Sequence, residues 1–295
     1  MRVGVTILPE RRWSQAAHLW RAAEDLGFDH AWTFDHITWG GLPDSPWYAA
    51  IPTLTAAAGV TSRIGLGTFV TTPNNHEPVQ LMREVYALGD ISAGRFLLGL
   101  GAGGDLDSGI LGHELTVRQR ADRFAEFARL LDRLSRETEV TADGQWYQAR
   151  EVSTGAGPVR GTPAGSRVPF LVAANGPRTI RLAAEVGDGW ITAGGPGVAS
   201  ADDWWRRVAQ ACRRLDEALS ARGRERHTFR RVLNLDDQPT FALTSVAAFE
   251  EAVGRADGLG FTDVVVPWPR ASEPFRGDLA VAEAVAAEVL PRWRG

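Results

Sequence analysis

The chain contains no lysine, so its 32 basic residues are all arginines. Without a lysine amine, the protein cannot form a Schiff base and has no P-loop lysine, which excludes pyridoxal-phosphate enzymes and P-loop proteins. Cysteine is almost absent as well. The single Cys212 rules out a disulfide within the chain and suits a reducing cytoplasm.

Positive charge and long apolar runs are also scarce. The net charge of −4 argues against a nucleic-acid or anionic-membrane partner, because phosphate contacts need a basic surface. No apolar run approaches the roughly 18 residues of a membrane span, and the first residues lack the pattern of a signal peptide. No H-x-H, H-E-x-x-H or C-x-x-C pairing occurs, so the sequence predicts no dedicated metal site. The single cysteine and the lack of a signal-peptide pattern predict a cytoplasmic protein.

What the sequence does have is a regular alternation of short apolar runs and amphipathic stretches. The apolar runs predict strands at 2–8, 30–35, 64–71, 95–100, 169–174, 189–193, 229–235 and 263–267. The amphipathic stretches predict helices at 13–26, 46–60, 77–91, 117–137, 177–186, 202–221, 245–257 and 279–290. The strands are apolar without alternation, which is typical of a parallel sheet buried on both faces.

Eight strand–helix units predict an α/β fold of the (β/α)8 TIM-barrel type, as a single domain over residues 1–295. The alternative is an open, doubly wound sheet, but no G-x-G-x-x-G opens a helix after the first strand. Two stretches interrupt the rhythm and are interpreted as insertions. The first, 104–116, follows the fourth strand; the second, 138–168, is rich in glycine and proline, with a hairpin predicted around Asp143-Gly144.

In such a barrel, side chains at the carboxyl ends of the strands surround the catalytic mouth. The second strand ends at Asp35 and His36, with Trp39 three residues later. An imidazole at the mouth is suited to proton exchange near neutral pH. Because adjacent strand residues point to opposite faces, Asp35 and His36 need a local twist or bulge to serve one site.

A second candidate lies after the strand at 169–174, where the sequence reads "AANGPRT". Pro177 suits the first position of a helix, whose free N–H groups and the Arg178 guanidinium could together hold a phosphate. An ordinary helix start is the alternative interpretation.

These residues, in this order, resemble the luciferase-like flavin monooxygenase superfamily and, more narrowly, its branch that uses the deazaflavin coenzyme F420. The resemblance runs from residue 1 to about residue 270. It is carried by the segments "AEDLGFDHAWTFDH", "SRIGLGTFVTTPNNHEPVQLMREVYALGDISAGRFLLGLGAG" and "VPFLVAANGPRTIRLAAEVGDGWITAGG".

The resemblance implies a homodimer with the coenzyme across the carboxyl end of the barrel, and a small-molecule substrate. It further implies that Asp35 and His36 are the catalytic Asp-His pair of the family, with His36 as proton donor or acceptor. It also implies a non-proline cis peptide bond at Phe69–Val70, with Thr72 at the ring edge and Trp39 shaping the pocket. The cofactor-binding residues it implies are Phe69, Val70, Thr72, Gly103, Ala174, Asn175, Gly176, Pro177, Arg178 and Thr179.

One departure concerns the substrate. Relatives that oxidise a sugar phosphate place a glutamate after the fourth-strand glycines and bind the phosphate with lysines. Here Gly104 takes that position, Asp105 follows it, and lysine is absent. A sugar-phosphate dehydrogenase is therefore not favoured, and Asp105 is retained as a candidate acid.

Three functions follow from this sequence. The first is an F420-dependent oxidoreductase acting on a small organic substrate. The second is a monooxygenase on the same barrel that uses reduced flavin mononucleotide and oxygen. The third is a cofactor-binding protein without turnover.

Overall fold

The computed structural model describes residues 1–154, 167–195, 197–198 and 200–293. Its strands are β1 (Arg2–Thr6), β2 (His30–Thr33), β3 (Gly65–Thr68), β4 (Phe96–Leu100), β5 (Val140–Asp143), β6 (Gln148–Val152), β7 (Phe170–Ala173), β8 (Gly189–Thr192), β9 (Arg230–Asn234) and β10 (Asp263–Pro267). Its α-helices are α1 (Trp13–Asp25), α2 (Ala50–Ala58), α3 (Pro78–Ile91), α4 (Asp105–Ile110), α5 (Val117–Arg136), α6 (Pro177–Val186), α7 (Ala201–Ser220), α8 (Val246–Gly258), α9 (Leu279–Glu288) and α10 (Leu290–Trp293).

Eight of these strands close into a parallel barrel in the order β1-β2-β3-β4-β7-β8-β9-β10, with β10 paired to β1. The closure confirms the predicted (β/α)8 barrel and excludes the open sheet. The barrel strands are short and mostly buried, as the uninterrupted apolar runs predicted; every residue of β4 and β10 is buried.

The predicted insertions carry three extra elements, two strands and one short helix. β5 and β6 form an antiparallel ribbon, which confirms the predicted hairpin near Asp143-Gly144. The short helix α4 lies inside the first insertion and was not predicted. The remainder of the second insertion, 155–166, lies outside the described residues. The helix predicted from residue 46 begins only at Ala50, because the preceding segment is extended and the Tyr48 N–H donates to the carbonyl oxygen of Pro9.

Side chains fill the barrel, and helices cover its outside. The interior cluster comprises Leu8, Trp32, Phe34, Phe69, Leu97, Leu171, Ile191, Val232 and Val265. Trp32 is fully buried there, and a Cβ on the neighbouring Gly67 would overlap its ring. The larger cluster lies between the strands and the surrounding helices. Within the described ranges, no helix has the length and apolar character needed to cross a membrane.

A buried ionic cluster closes the amino-terminal end of the barrel. Asp263 accepts hydrogen bonds from His30 Nε2 at 2.9 Å, from Arg230 at 2.6 Å and from Arg2 at 3.0 Å. The indole N–H of Trp32 donates to His30 Nδ1 at 2.6 Å, so the ring proton of His30 lies on Nε2. Burial lowers the pKa of His30. Burial alone would raise the pKa of Asp263, but its bonds to His30 and Arg230 lower it.

Candidate active site

A cleft of about 370 Å³ opens at the carboxyl ends of β3, β4, β7 and β8. It is lined by His36, Phe69, Val70, Thr72, Gly101, Ala102, Gly103, Gly104, Ala173, Ala174, Asn175, Thr179, Ile191, Thr192, Ala193 and Asn234. His36 thus shares one cavity with most of the residues that were predicted to bind a cofactor.

His36 is held by a carboxylate that the sequence reading missed. Its Nδ1 lies 2.6 Å from Oδ2 of Asp107, and Oδ1 of the same carboxylate accepts the Ile37 N–H at 3.0 Å. Asp107 is 1% exposed, whereas the His36 ring is 30% exposed. Burial alone would raise the pKa of Asp107, but the His36 bond and the backbone N–H groups of Ile37 and Thr38 lower it.

Asp35 does not pair with His36. Its Oδ2 accepts hydrogen bonds from Thr71 Oγ1 at 2.9 Å and lies 2.8 Å from His76 Nε2. The alternation of β2 therefore continues past its last residue, Thr33, and the two neighbours point into different surroundings. The structure corrects the expectation that Asp35 and His36 form one group: Asp35 belongs with Thr71 and His76.

Asp105 also lies apart from the cleft. Its side chain is 81% exposed and forms an ion pair with Arg120. Asp105 and Asp107 are two residues apart on α4, about 200° around the helix, so they face opposite sides. The expectation that Asp105 supplies an acid at the mouth is therefore wrong. The carboxylate that reaches the histidine of the mouth is Asp107, the second aspartate of the "DLD" that follows the glycines, and it binds His36.

Aromatic side chains form a wall beside His36. Trp39 stacks on Phe275, with ring centroids 5.8 Å apart and planes at 17°, and lies 5.8 Å from Trp47. Trp47 lies 6.4 Å from the His36 ring, and Phe34 lies between Trp39 and His36. Trp39 is therefore part of this aromatic wall, and its role in shaping the pocket stays a prediction. Trp47 and Phe275 were not anticipated.

The backbone after β3 bulges into the cleft. The Phe69–Val70 peptide bond is cis, which confirms the expectation from the resemblance. Val70 packs on Gly99 and Gly101 of the β4 segment. A Cβ on Gly101 would overlap the Val70 side chain, and one on Gly99 would overlap the carbonyl oxygen of Thr68. Gly103 has φ +78°, and a Cβ there would lie 2.5 Å from Nδ2 of Asn74. Gly101, Gly103 and Gly104 all line the cleft, and a Cβ on Gly104 would meet nothing within 4 Å. Glycines at these positions let a ligand approach the backbone closely.

The amino terminus of α6 borders a second, adjoining groove of about 920 Å³. Its lining comprises Ala102, Gly103, Val117, Arg118, Arg120, Ala121, Gly176, Pro177, Arg178 and Thr179. No side chain caps α6 at Gly176, so its first N–H groups are available to an anion. Arg178 forms an ion pair with Asp122, and the groove joins the cleft at Gly103 and Thr179.

Among the described residues, no group of three or more His, Cys, Asp or Glu side chains is arranged to hold a metal ion.

Curated relatives share long stretches of this sequence. An F420-dependent glucose-6-phosphate dehydrogenase of Kineococcus radiotolerans is 32% identical over 287 residues, 90% of this chain and 82% of the relative. One of Beutenbergia cavernae is 37% identical over 182 residues, which is 59% of this chain and about half, 51%, of that relative.

The fold is also found among solved structures. An F420-dependent secondary alcohol dehydrogenase in complex with an F420-acetone adduct matches with a TM-score of 0.81 and 16% identity, over 100% of both chains. A family model described as luciferase-like monooxygenase matches residues 1–236 of this chain. The chain, with its closed barrel and its cleft at the strand ends, therefore belongs to the luciferase-like monooxygenase family.

Proposed function

We propose that this protein is an F420-dependent oxidoreductase that moves a hydride between the coenzyme and a small uncharged organic substrate, while His36 moves the accompanying proton. The curated relatives carry F420-dependent names, and one of them aligns along most of the chain. The observation that carries the proposal is that His36, held by Asp107, lines the same cleft as the Asn175–Thr179 turn.

The described residues fit such a coenzyme. Gly101, Gly103 and Gly104 line the cleft beside Val70, so a flat tricyclic ring can approach the backbone there without meeting a side chain at the glycines. The groove at the start of α6 offers free N–H groups, the helix dipole and the guanidinium of Arg178 to a phosphate. The cleft for the ring and the groove for the phosphate adjoin at Gly103 and Thr179, so one coenzyme molecule can occupy both.

When bound, F420 supplies a ring carbon, C5, that gives or takes a hydride. For alcohol oxidation, the substrate carbon loses a hydride and its hydroxyl loses a proton, and a carbonyl forms. His36 Nε2 would accept that proton, since Nδ1 is engaged with Asp107. The reverse reaction returns the same proton from His36.

The residues beside His36 indicate an uncharged substrate. The wall is built from Trp39, Trp47 and Phe275, which offer apolar surface. Arg270, adjacent to Phe275, binds both carboxylate oxygens of Glu10 at 2.9 Å and 2.7 Å and so brings no net charge. A glucose 6-phosphate substrate, as in the names of the curated relatives, would lack lysines to hold its phosphate.

Titration of the purified protein with F420 and with flavin mononucleotide tests the cofactor. The proposal predicts saturable binding of F420 at least about tenfold tighter than binding of flavin mononucleotide. The family to which the chain belongs, luciferase-like monooxygenase, suggests a competing outcome. In that outcome the protein binds flavin mononucleotide and consumes oxygen in the presence of a reductase. That outcome would replace the proposal.

A panel of small alcohols and ketones then tests turnover, followed by the change in coenzyme absorbance. The proposal predicts turnover of uncharged members of the panel and none of glucose 6-phosphate. F420 binding without turnover of any member would instead indicate a cofactor-binding protein.

We also propose that the protein acts as a cytoplasmic homodimer, as the resemblance implies. Light scattering after size exclusion should then give about twice the 32.0 kDa of one chain. A mass of one chain would contradict the dimer without affecting the cofactor proposal.

A further inference from the structure

We infer that Asp107 is a positioning residue that fixes the tautomer and orientation of His36, so that Nε2 faces the cleft. This inference rests on the proposed function for its kinetic consequence, although its structural core can be measured without any coenzyme or substrate.

Both oxygens of Asp107 are committed to the segment that carries the histidine. Oδ2 lies 2.6 Å from His36 Nδ1, and Oδ1 accepts the N–H of the next residue, Ile37, at 3.0 Å. A carboxylate that grips both the ring and the adjacent backbone restrains the ring in position and rotation. Since Asp107 is 1% exposed, water does not compete for these bonds.

The short helix that presents Asp107 is itself anchored at both ends. The Asn74 amide donates to the Gly104 carbonyl at 3.2 Å, just before α4. Ser108 Oγ donates to the His113 carbonyl at 2.8 Å, and the His113 N–H returns to the Ser108 carbonyl at 2.8 Å. The carboxylate is therefore fixed relative to the end of β2, although it lies 71 residues from His36 in the chain.

The hydrogen bond between His36 and Asp107 determines which nitrogen of the His36 ring carries the proton. Hydrogen bonds from His36 and the neighbouring backbone lower the pKa of Asp107 against the effect of its burial, so it accepts as a carboxylate. Because Asp107 accepts at Nδ1 of His36, the ring proton lies on Nδ1, and Nε2 of the neutral ring carries a free lone pair. Because the ring is 30% exposed and lines the cleft, that lone pair is available to a substrate hydroxyl.

The chain provides a matched control on the same helix. Asp105 precedes Asp107 by two residues, carries the same group, and pairs with Arg120 at the surface. An Asp105→Asn change removes one negative charge from α4, as Asp107→Asn does, but it touches neither His36 nor Ile37. Any effect of charge alone on the short helix will appear in both variants.

The test is the ¹⁵N spectrum of histidine-labelled, coenzyme-free protein at about pH 8.5, where an ordinary imidazole with a pKa of about 6.5 is neutral. The chain has six histidines, and the His36→Gln spectrum identifies the His36 signals by their loss. Wild type should show one His36 tautomer, protonated at Nδ1. Asp107→Asn should lose or invert that preference, because its amide can donate to Nδ1, and Asp105→Asn should match wild type.

A wild-type His36 protonated at Nε2, or present as a mixture of tautomers, would overturn the inference. So would an Asp107→Asn spectrum in which the Nδ1–H tautomer persists. The wild-type measurement stands alone if Asp107→Asn fails to fold, and circular dichroism reports that folding.

The kinetic consequence is a separation of turnover from binding. With the best substrate of the panel, Asp107→Asn should lower kcat about 10²–10⁴-fold, since a histidine in the wrong tautomer cannot take the proton. The dissociation constant of F420 should stay within about twofold. Equal losses in coenzyme binding and kcat would indicate a merely structural residue. Absence of F420 binding in wild type would refute the proposed function but leave the tautomer result standing.

Discussion

The two ends of the barrel each contain an aspartate bonded to a histidine, and the two pairs differ in what the second ring nitrogen meets. At the amino-terminal end, Nε2 of His30 bonds to Asp263, and its other ring nitrogen, Nδ1, accepts the Trp32 indole N–H at 2.6 Å. The His30 side chain is 1% exposed. At the carboxyl end, His36 is 30% exposed and lines the cleft. One pair is closed by its neighbours, and the other is left open to a ligand.

A buried aspartate bonded to a histidine does not by itself define whether the histidine has a structural or a chemical role. Both aspartates are buried, and hydrogen bonds lower the pKa of both. Asp263 accepts hydrogen bonds from Arg2, Arg230 and Thr262 besides His30, and the Trp32 indole occupies the other His30 nitrogen, so this pair is suited to a structural role. Around His36, one ring nitrogen lacks a described protein partner, which suits proton transfer.

The largest expected effect comes from breaking the open pair. His36→Gln should lower turnover of the best panel substrate about 10²–10⁴-fold, because the group that exchanges the substrate proton is lost. The free energy of unfolding should change by less than about 1 kcal/mol, since the ring is partly exposed. Steady-state kinetics and urea unfolding measure the two. A variant that keeps wild-type turnover would remove His36 from the proposed chemistry.

Breaking the closed pair should give the opposite pattern. Asp263→Asn leaves His30 and Arg230 without their buried partner, which should lower the free energy of unfolding by about 3–5 kcal/mol. The dissociation constant of F420 should remain within about twofold at a temperature where the variant is folded. Loss of coenzyme binding with unchanged stability would contradict the division of roles between the two ends.

The groove at the start of α6, which we propose holds the coenzyme phosphate, gives an intermediate effect. Arg178→Met removes a charged donor at the start of α6 and should weaken F420 binding about tenfold to a hundredfold. Binding of the same deazaflavin without its phosphate should be unaffected, and this ligand is the control. Equal weakening for both ligands would place the phosphate elsewhere.

The smallest effect is a pH dependence at the third pair, His76 with Asp35. Burial lowers the pKa of His76, but the hydrogen bond and charge of Asp35 outweigh it and raise that pKa. A raised folded pKa contributes stability that is fully present below the unfolded value of about 6.5 and is lost as pH rises through the folded pKa. The difference in unfolding free energy between wild type and His76→Gln, at most about 1 kcal/mol, should therefore shrink from pH 6 to pH 9. A difference that grows with pH would contradict the shift.

The sequence predicted what depends on local pattern. Uninterrupted apolar runs such as β4 and β10 identified the parallel strands, because strands buried on both faces show no alternation. Pro177 marked the start of α6, and His36 was correctly placed at the mouth. The alternation rule indicated that Asp35 and His36 need a local twist or bulge to serve one site, but the expectation that they form one group was wrong.

What the sequence did not reveal depends on contacts between distant segments. Asp107 meets His36 across 71 residues, through a six-residue helix too short to show a period. Phe275, in the loop after β10, stacks on Trp39, and no local sequence pattern predicts that contact. Such pairings follow from how the barrel brings its loops together.

A crystal structure of the F420 complex tests the central claim most directly. The account predicts the coenzyme phosphate on the amides and guanidinium of Gly176–Thr179, the ring against Val70, and its reactive carbon facing His36. A coenzyme bound elsewhere, or a ring turned away from His36, would contradict it.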